Sequence, residues 1–163
     1  MIRRQLLLRC CLLLLSGALA GAALAAPAAT LPYDENAEPT AQLQSALAVA
    51  RDAHKRVLLV FGANWCGDCR ALDSAFHEGP TRSLIEQRYV VVKVDVGHFD
   101  KNLKFCTLYD MPIAKGIPSV VVVTPRNEVV YQTRAGELAD ARSMGKDGIY
   151  DFFKELSSRP AGY

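Results

Sequence analysis

The apolar positions of this chain follow two periods, and the alternation between them predicts its elements. Val57-Leu58-Leu59-Val60-Phe61 is an unbroken apolar run of strand length, as expected for a central strand covered on both faces. Before it, Leu43, Leu47 and Ala50 recur at spacings of four and three. This predicts a helix capped by Thr40 and ending near His54-Lys55-Arg56, where cations suit a helix C-terminus. After the strand and a short linker, Gly62-Ala63-Asn64, the residues Cys69, Leu72, Ala75 and Phe76 share one face of a helix over residues 66–77, stopped by Gly79-Pro80. Thr81 is placed to cap a second short helix through Arg88, and Tyr89-Val90-Val91-Val92-Lys93-Val94-Asp95 is strand-like. Strand, helix and strand thus form a crossover unit whose two strands run parallel.

Residues 101–108 read as a weaker helix, and residues 109–116 as an irregular stretch containing Pro112. Ser119-Val120-Val121-Val122-Val123 and Glu128-Val129-Val130-Tyr131-Gln132-Thr133 are two further strands. The four residues between them, Thr124-Pro125-Arg126-Asn127, fit only an antiparallel hairpin. A polar loop over residues 134–145 precedes a last helix around residues 147–157, with Ile149, Phe152, Phe153 and Leu156 as its buried face. The order helix, β-α-β, helix, β-β-α contains no repeat and no internal boundary. It predicts one α/β domain over residues 40–158, a mixed four-stranded sheet with helices on both faces, and a short tail at residues 159–163.

The first 25 residues stand apart. Arg3 and Arg4 precede an apolar stretch from Leu6 to Leu19, and Ala23-Leu24-Ala25 ends it with small residues, the pattern of a cleaved secretory signal peptide. A membrane anchor fits less well, because the clean apolar run over residues 10–26 is short and rich in Ala and Gly. Cys10 and Cys11 lack the small residue that must precede a lipidated cysteine. Residues 26–39, with Pro27, Pro32 and Pro39, read as a flexible leader.

This segment alters the composition. The whole chain of 163 residues carries 19 Lys and Arg against 17 Asp and Glu, a formal charge of +2. Removing residues 1–25 takes three arginines and two cysteines, which leaves 138 residues at −1 with three cysteines. Neither charge argues for nucleic acid. Export implies an oxidising compartment, the periplasm, where two nearby thiols pair unless something reduces them.

The chemistry lies in Trp65-Cys66-Gly67-Asp68-Cys69, where the first strand meets its helix, and in Gly116-Ile117-Pro118-Ser119, which opens the third strand. A cysteine at the first turn of a helix has its sulfur near unpaired N–H groups and the positive dipole end, so Cys66 is favoured as a thiolate. Cys69, one helical turn on, is close enough to form a disulfide with Cys66 and is shielded by it. Gly67 admits a close substrate chain, and Trp65 offers an apolar shoulder. A purely structural disulfide with two intervening residues would restrain little of the unfolded chain. Zinc ligation would need Cys106 and His98, whose spacing fits no compact module.

These two motifs, together with the element order over residues 40–156, resemble the thioredoxin family, and within it the exported bacterial thioredoxin-like proteins. The resemblance implies the thioredoxin fold and a protein disulfide oxidoreductase that needs no bound cofactor. Cys66 would attack a target disulfide and Cys69 would resolve the mixed disulfide. It also implies a cis bond between Ile117 and Pro118, with the backbone before Pro118 pairing with the substrate strand.

Thioredoxins usually carry a buried acid six positions before the attacking cysteine, and here that position is Val60. The resolving step must then use another base, such as Asp68 or water. Asp68 between the cysteines would oppose a Cys66 thiolate and so make the dithiol a better reductant; Ile117 before the proline points the same way. The expectation is a monomer that reduces or isomerises protein disulfides and draws electrons from a membrane thiol-transfer partner. The alternatives are a chaperone that binds copper or another soft metal through the two thiolates, for which no further His or Met ligand lies near the pair, and a thiol chaperone dedicated to cytochrome maturation. Cys106 reads as a small buried hydrophobe, and His98, after the second strand, could lie near the active end of the sheet. The segments 109–115 and 134–145 either decorate the surface or flank Cys66 and select the partner.

Overall fold

The most apolar run in the sequence forms the middle of the sheet. The structure, a computed structural model, describes residues 31–159. Strand β1 (Arg56–Gly62) lies between β2 (Tyr89–Asp95), parallel to it, and β3 (Ser119–Val123), antiparallel; β4 (Val129–Gln132) pairs antiparallel with β3 at the edge. The side chains of β1 alternate between two cores. Val57, Leu59 and Phe61 pack with Leu43, Ala46 and Ala50 of helix α1 (Pro39–Asp52), while Leu58 and Val60 face the other way. There they meet Leu72 and Phe76 of α2 (Gly67–Phe76), Ile85 of α3 (Gly79–Arg88) and Ile149 and Phe153 of α5 (Ala141–Ser158). Burial on both faces is the reason the run lacks polar alternation. The short helix α4 (Leu103–Thr107) adds Phe105 and Cys106 to the first core, and a 3₁₀ turn (Pro112–Lys115) leads into β3.

Three readings of helix ends need correction. Thr40 does not cap α1: Pro39 occupies the first turn behind Glu38, which makes no side-chain cap bond. Gly79-Pro80 does not simply end α2, and Thr81 does not cap α3; the pair itself opens α3, with Glu78 as its N-cap. In both cases proline takes the first-turn position, where its missing N–H has no intrahelical partner to lose. Residues 141–144 form a separate helical turn, and Gly145, whose φ of +65° glycine tolerates, divides it from the last helix, which runs on to Ser158 in keeping with the span expected around residues 147–157.

The signal-peptide reading lies outside the described residues. The flexible leader is described from residue 31, and residues 31–38 are not loose. Tyr33 is 3% exposed and sits in the first core with Phe61 and Cys69. Its backbone N–H donates to Asn64 Oδ1 at 2.9 Å, and Asn64 Nδ2 donates back to the Tyr33 carbonyl at 2.9 Å. A proline-rich segment is thereby fixed by one buried aromatic ring and one side-chain amide.

Candidate active site

The end of β1 hands the chain directly to the cysteine pair. Cys66 is the N-cap of α2, in extended backbone, and its Sγ accepts a hydrogen bond from the Cys69 N–H at 3.1 Å. This is the place where a sulfur anion is best supported by the unpaired N–H groups of the first turn. Cys66 and Cys69 are joined as a disulfide with their Cα atoms 5.2 Å apart, inside the usual range for such a bridge. Cys66 is 5% exposed and Cys69 1%, so only the first presents an edge to an incoming target.

The second motif closes over the first. Ile117-Pro118 is a cis peptide bond, and the Ile117 carbonyl oxygen lies 3.6 Å from Cys66 Sγ. Sequence reasoning thus placed Cys66, Cys69, Ile117 and Pro118 together, and the structure brings them together. Trp65 remains on the surface, 48% exposed, and is no core aromatic. Its Nε1 donates to the Gly97 carbonyl at 2.8 Å, His98 stacks on its ring at 5.2 Å, and Phe99 meets it edge-on at 6.2 Å. His98 therefore stands at the active end of the sheet as part of an aromatic wall.

Asp68 is not the lone charge that the sequence suggested. Arg142, in the first turn of α5, holds it with three bonds: its backbone N–H to Oδ1 at 3.0 Å, Nε to Oδ1 at 3.2 Å and a terminal guanidinium nitrogen to Oδ2 at 3.1 Å. The Arg142 side-chain bonds, with its charge and backbone N–H, hold the Asp68 carboxyl below the usual carboxylate range. Asp68 is therefore ionised throughout the neutral range, and its repulsion of a Cys66 thiolate is offset by the guanidinium. The same guanidinium covers Gly67, where an added Cβ would lie 3.1 Å from it. Residues 134–145 do flank the pair: besides Arg142, Ala139 packs against Gly116, just before Ile117.

Arg142→Ala should slow Cys66 attack on a disulfide by a factor of a few at pH 7 and low salt, since Asp68 then faces the thiolate unopposed. The sign follows from the depressed Asp68 pKa. The clasp is complete above the unfolded carboxylate value, about 3.9, and is lost as pH falls through the lower folded value. The difference between variant and wild type should thus persist from pH 5 to 8 and shrink at high salt. Stopped-flow thiolate kinetics measure it.

Two residues of this site carried no signal in the sequence. Arg142 lies 74 positions from Asp68, and Tyr33 lies in what resembled a leader; neither belongs to a local period. Cys106 is fully buried on α4, and burial pushes its thiol up to about 11, in keeping with a core residue. Among the described residues, no group of three or more His, Cys, Asp or Glu side chains gathers to hold a metal.

A family model described as thioredoxin-like matches residues 38–125. The chain is 50% identical to a disulphide isomerase from Xylella fastidiosa Temecula1, with a TM-score of 0.78; the match covers 80% of this chain and 100% of that one. A thioredoxin from Thermus thermophilus shares the fold at 19% identity, with a TM-score of 0.51 over 70% of this chain and 82% of that one. No curated protein is similar enough to this chain to count as a match. With a sheet of order β2-β1-β3-β4 covered by helices and a Cys-x-x-Cys disulfide at the head of α2, the chain belongs to the thioredoxin-like family and is a thiol–disulfide oxidoreductase.

Proposed function

We propose that this protein isomerises or reduces disulfides of exported proteins, using the Cys66 thiolate as the attacking group. The observation that carries the reading is the position of Cys66 Sγ, at the N-cap of α2 and 3.6 Å from the Ile117 carbonyl. A target chain in extended conformation can pair with the backbone at Ile117 and rest an apolar side chain on Trp65 and Phe99, while Gly67, expected from the sequence to admit the chain, lies under the Arg142 guanidinium. Its disulfide then meets the Cys66 sulfur. Cys66 attacks, the S–S bond breaks, and the released target sulfur takes up a proton. Attack by another target thiol returns Cys66 and leaves a rearranged target; attack by Cys69 releases a reduced target and closes the Cys66–Cys69 bond.

The disulphide isomerase that shares half its residues with this chain supports the isomerising branch. The N-cap support and the Arg142 clasp favour the thiolate, and the proposal expects a potential between the thioredoxin and protein disulfide isomerase values, roughly −270 to −180 mV. Residues 1–25 carry the pattern of an export signal, so the proposed compartment is the periplasm. There the reduced state requires a membrane thiol-transfer donor. The test is recovery of activity by a target protein refolded with scrambled disulfides in a glutathione buffer. The wild-type chain should accelerate recovery, and Cys66→Ser should abolish the acceleration. Equal recovery with and without the wild-type chain would refute the proposal. The mass of the exported form should correspond to a chain beginning at Ala26.

A further inference from the structure

The resolving cysteine sits in a place where an anion has little support. Cys69 is 1% exposed, and burial disfavours a thiolate. The strand position from which a carboxylate would serve it holds Val60, which packs into the opposite core. One polar group does reach the sulfur's surroundings. A Cβ built on Gly62 would collide with the Tyr33 hydroxyl and lie 2.9 Å from Cys69 Sγ, so these two groups crowd the same point above a glycine.

We propose that Tyr33 is the hydrogen-bond donor for the resolving thiolate: when the disulfide opens, its hydroxyl, held against Gly62, turns to Cys69 Sγ. This rests on the dithiol reading above and deepens it. The backbone that carries the ring is anchored by two hydrogen bonds to the side chain of Asn64, two residues before Cys66. A third tether is Lys101, whose Nζ donates to the Glu35 carbonyl at 3.3 Å. Gly62 is required because any side chain there would displace the phenol.

Tyr33 acts as a donor and not as a base. Burial, together with the Asp73 and Asp95 carboxylates, pushes its own ionisation far above neutral. The charged groups around it come from every packed element. Asp73 on α2 is paired with Lys93 on β2, Asp95 at the end of β2 faces Lys101, and Glu35 lies on its own segment. Lys101 Nζ is 3.2 Å from Asp95 Oδ2, an ion pair without hydrogen-bond alignment, since that oxygen has no hydrogen-bond partner. A thiolate beside Tyr33 sits in the field of the same carboxylates, so a neutral donor is the available means of stabilising it. In the step itself, the Cys69 sulfur attacks Cys66 Sγ of the mixed disulfide. The Cys66–target S–S bond breaks and the Cys66–Cys69 bond forms. Cys69 gives up one proton, and the released target thiolate takes one up, so no net proton or electron enters.

The test compares wild type, Tyr33→Phe and Asn64→Ala. In reduced Cys66→Ser chains carrying each change, the Cys69 Cβ NMR shift is followed against pH. Tyr33→Phe should raise the Cys69 pKa by about one unit or more, and Asn64→Ala should raise it by less. In chains with both cysteines, resolution of a preformed Cys66 mixed disulfide should slow by about tenfold or more, while the rate of Cys66 attack stays unchanged. A Cys69 pKa and a resolution rate that stay at wild-type values in both folded variants would overturn the proposal. The Cys69 titration needs no target, so its failure leaves the dithiol reading standing. A wild-type chain that exchanges no disulfide would instead strike at that reading.

Discussion

Cys69→Ala should arrest the protein on its targets, leaving Cys66 in long-lived mixed disulfides that wild type resolves too quickly to accumulate. Cys66 keeps everything that makes it reactive in this variant, because the helix N-terminus, the Ile117 carbonyl and the Arg142 clasp on Asp68 are untouched. What is lost is an intramolecular nucleophile held one turn away, with its Cα 5.2 Å from that of Cys66. Well-oriented groups of this kind act at effective concentrations far above those of any thiol in solution, so resolution should slow by at least ~10³-fold at millimolar external thiol. Non-reducing electrophoresis followed by mass spectrometry reads the trapped species. Many partners would mark a general exchanger and one partner a dedicated route. The absence of any adduct with a folded variant would contradict the assigned order of attack. Cys66→Ser should give no adduct at all.

The second large effect concerns stability. Phe153→Ala should cost about 3–5 kcal/mol, the range for emptying a large aromatic site in a packed core. Phe153 is fully buried, meets Phe76 of α2 edge-on at 5.0 Å and touches Phe152 at 5.1 Å. It joins α5 to the helix that begins with the cysteine pair. Domains of this kind are stable by about 5–15 kcal/mol in total, so the change removes a large fraction. Urea denaturation should show a lower midpoint at an unchanged slope. Leu108→Ala, at a side chain 68% exposed, should stay within about 0.5 kcal/mol of wild type.

What could be read from the sequence divides by range. β2 and β3 begin and end where their β-branched runs do, and β1 extends its run by one residue at each end, since a strand buried on both faces writes itself as a continuous apolar segment. The parallel and antiparallel pairings followed from connection length. The cysteine pair and the Ile117-Pro118 loop were legible because their chemistry is confined to a few adjacent residues. Helix starts were less so. Pro39 and Pro80 resembled breakers and stoppers, although proline in a first turn was a signal that could have been used. The supporting residues were not legible. Asn64 grips Tyr33 across 31 positions and Arg142 grips Asp68 across 74, and contacts of that separation leave no trace in local pattern. A proline-bearing polar segment looks like a leader until the pocket that accepts its one tyrosine is formed.

The site therefore has a different balance from the one its motif suggests. Asp68 alone would make Cys66 a poor thiolate, whereas the clasped pair leaves the helix N-terminus to set its reactivity. The missing acid at Val60 is likewise answered from outside the motif, by a hydroxyl carried on the N-terminal segment.

The central claim is that Cys66 and Cys69 form a working redox couple and not a structural bridge. Equilibration of the protein in graded dithiol–disulfide buffers, followed by alkylation and mass analysis, tests it directly. The account predicts a single two-electron transition at Cys66 and Cys69, centred at roughly −270 to −180 mV, with Cys106 a thiol at every potential. A pair that stays oxidised below about −300 mV, as structural disulfides do, or one reduced as readily as the strongest oxidants near −120 mV, would contradict it.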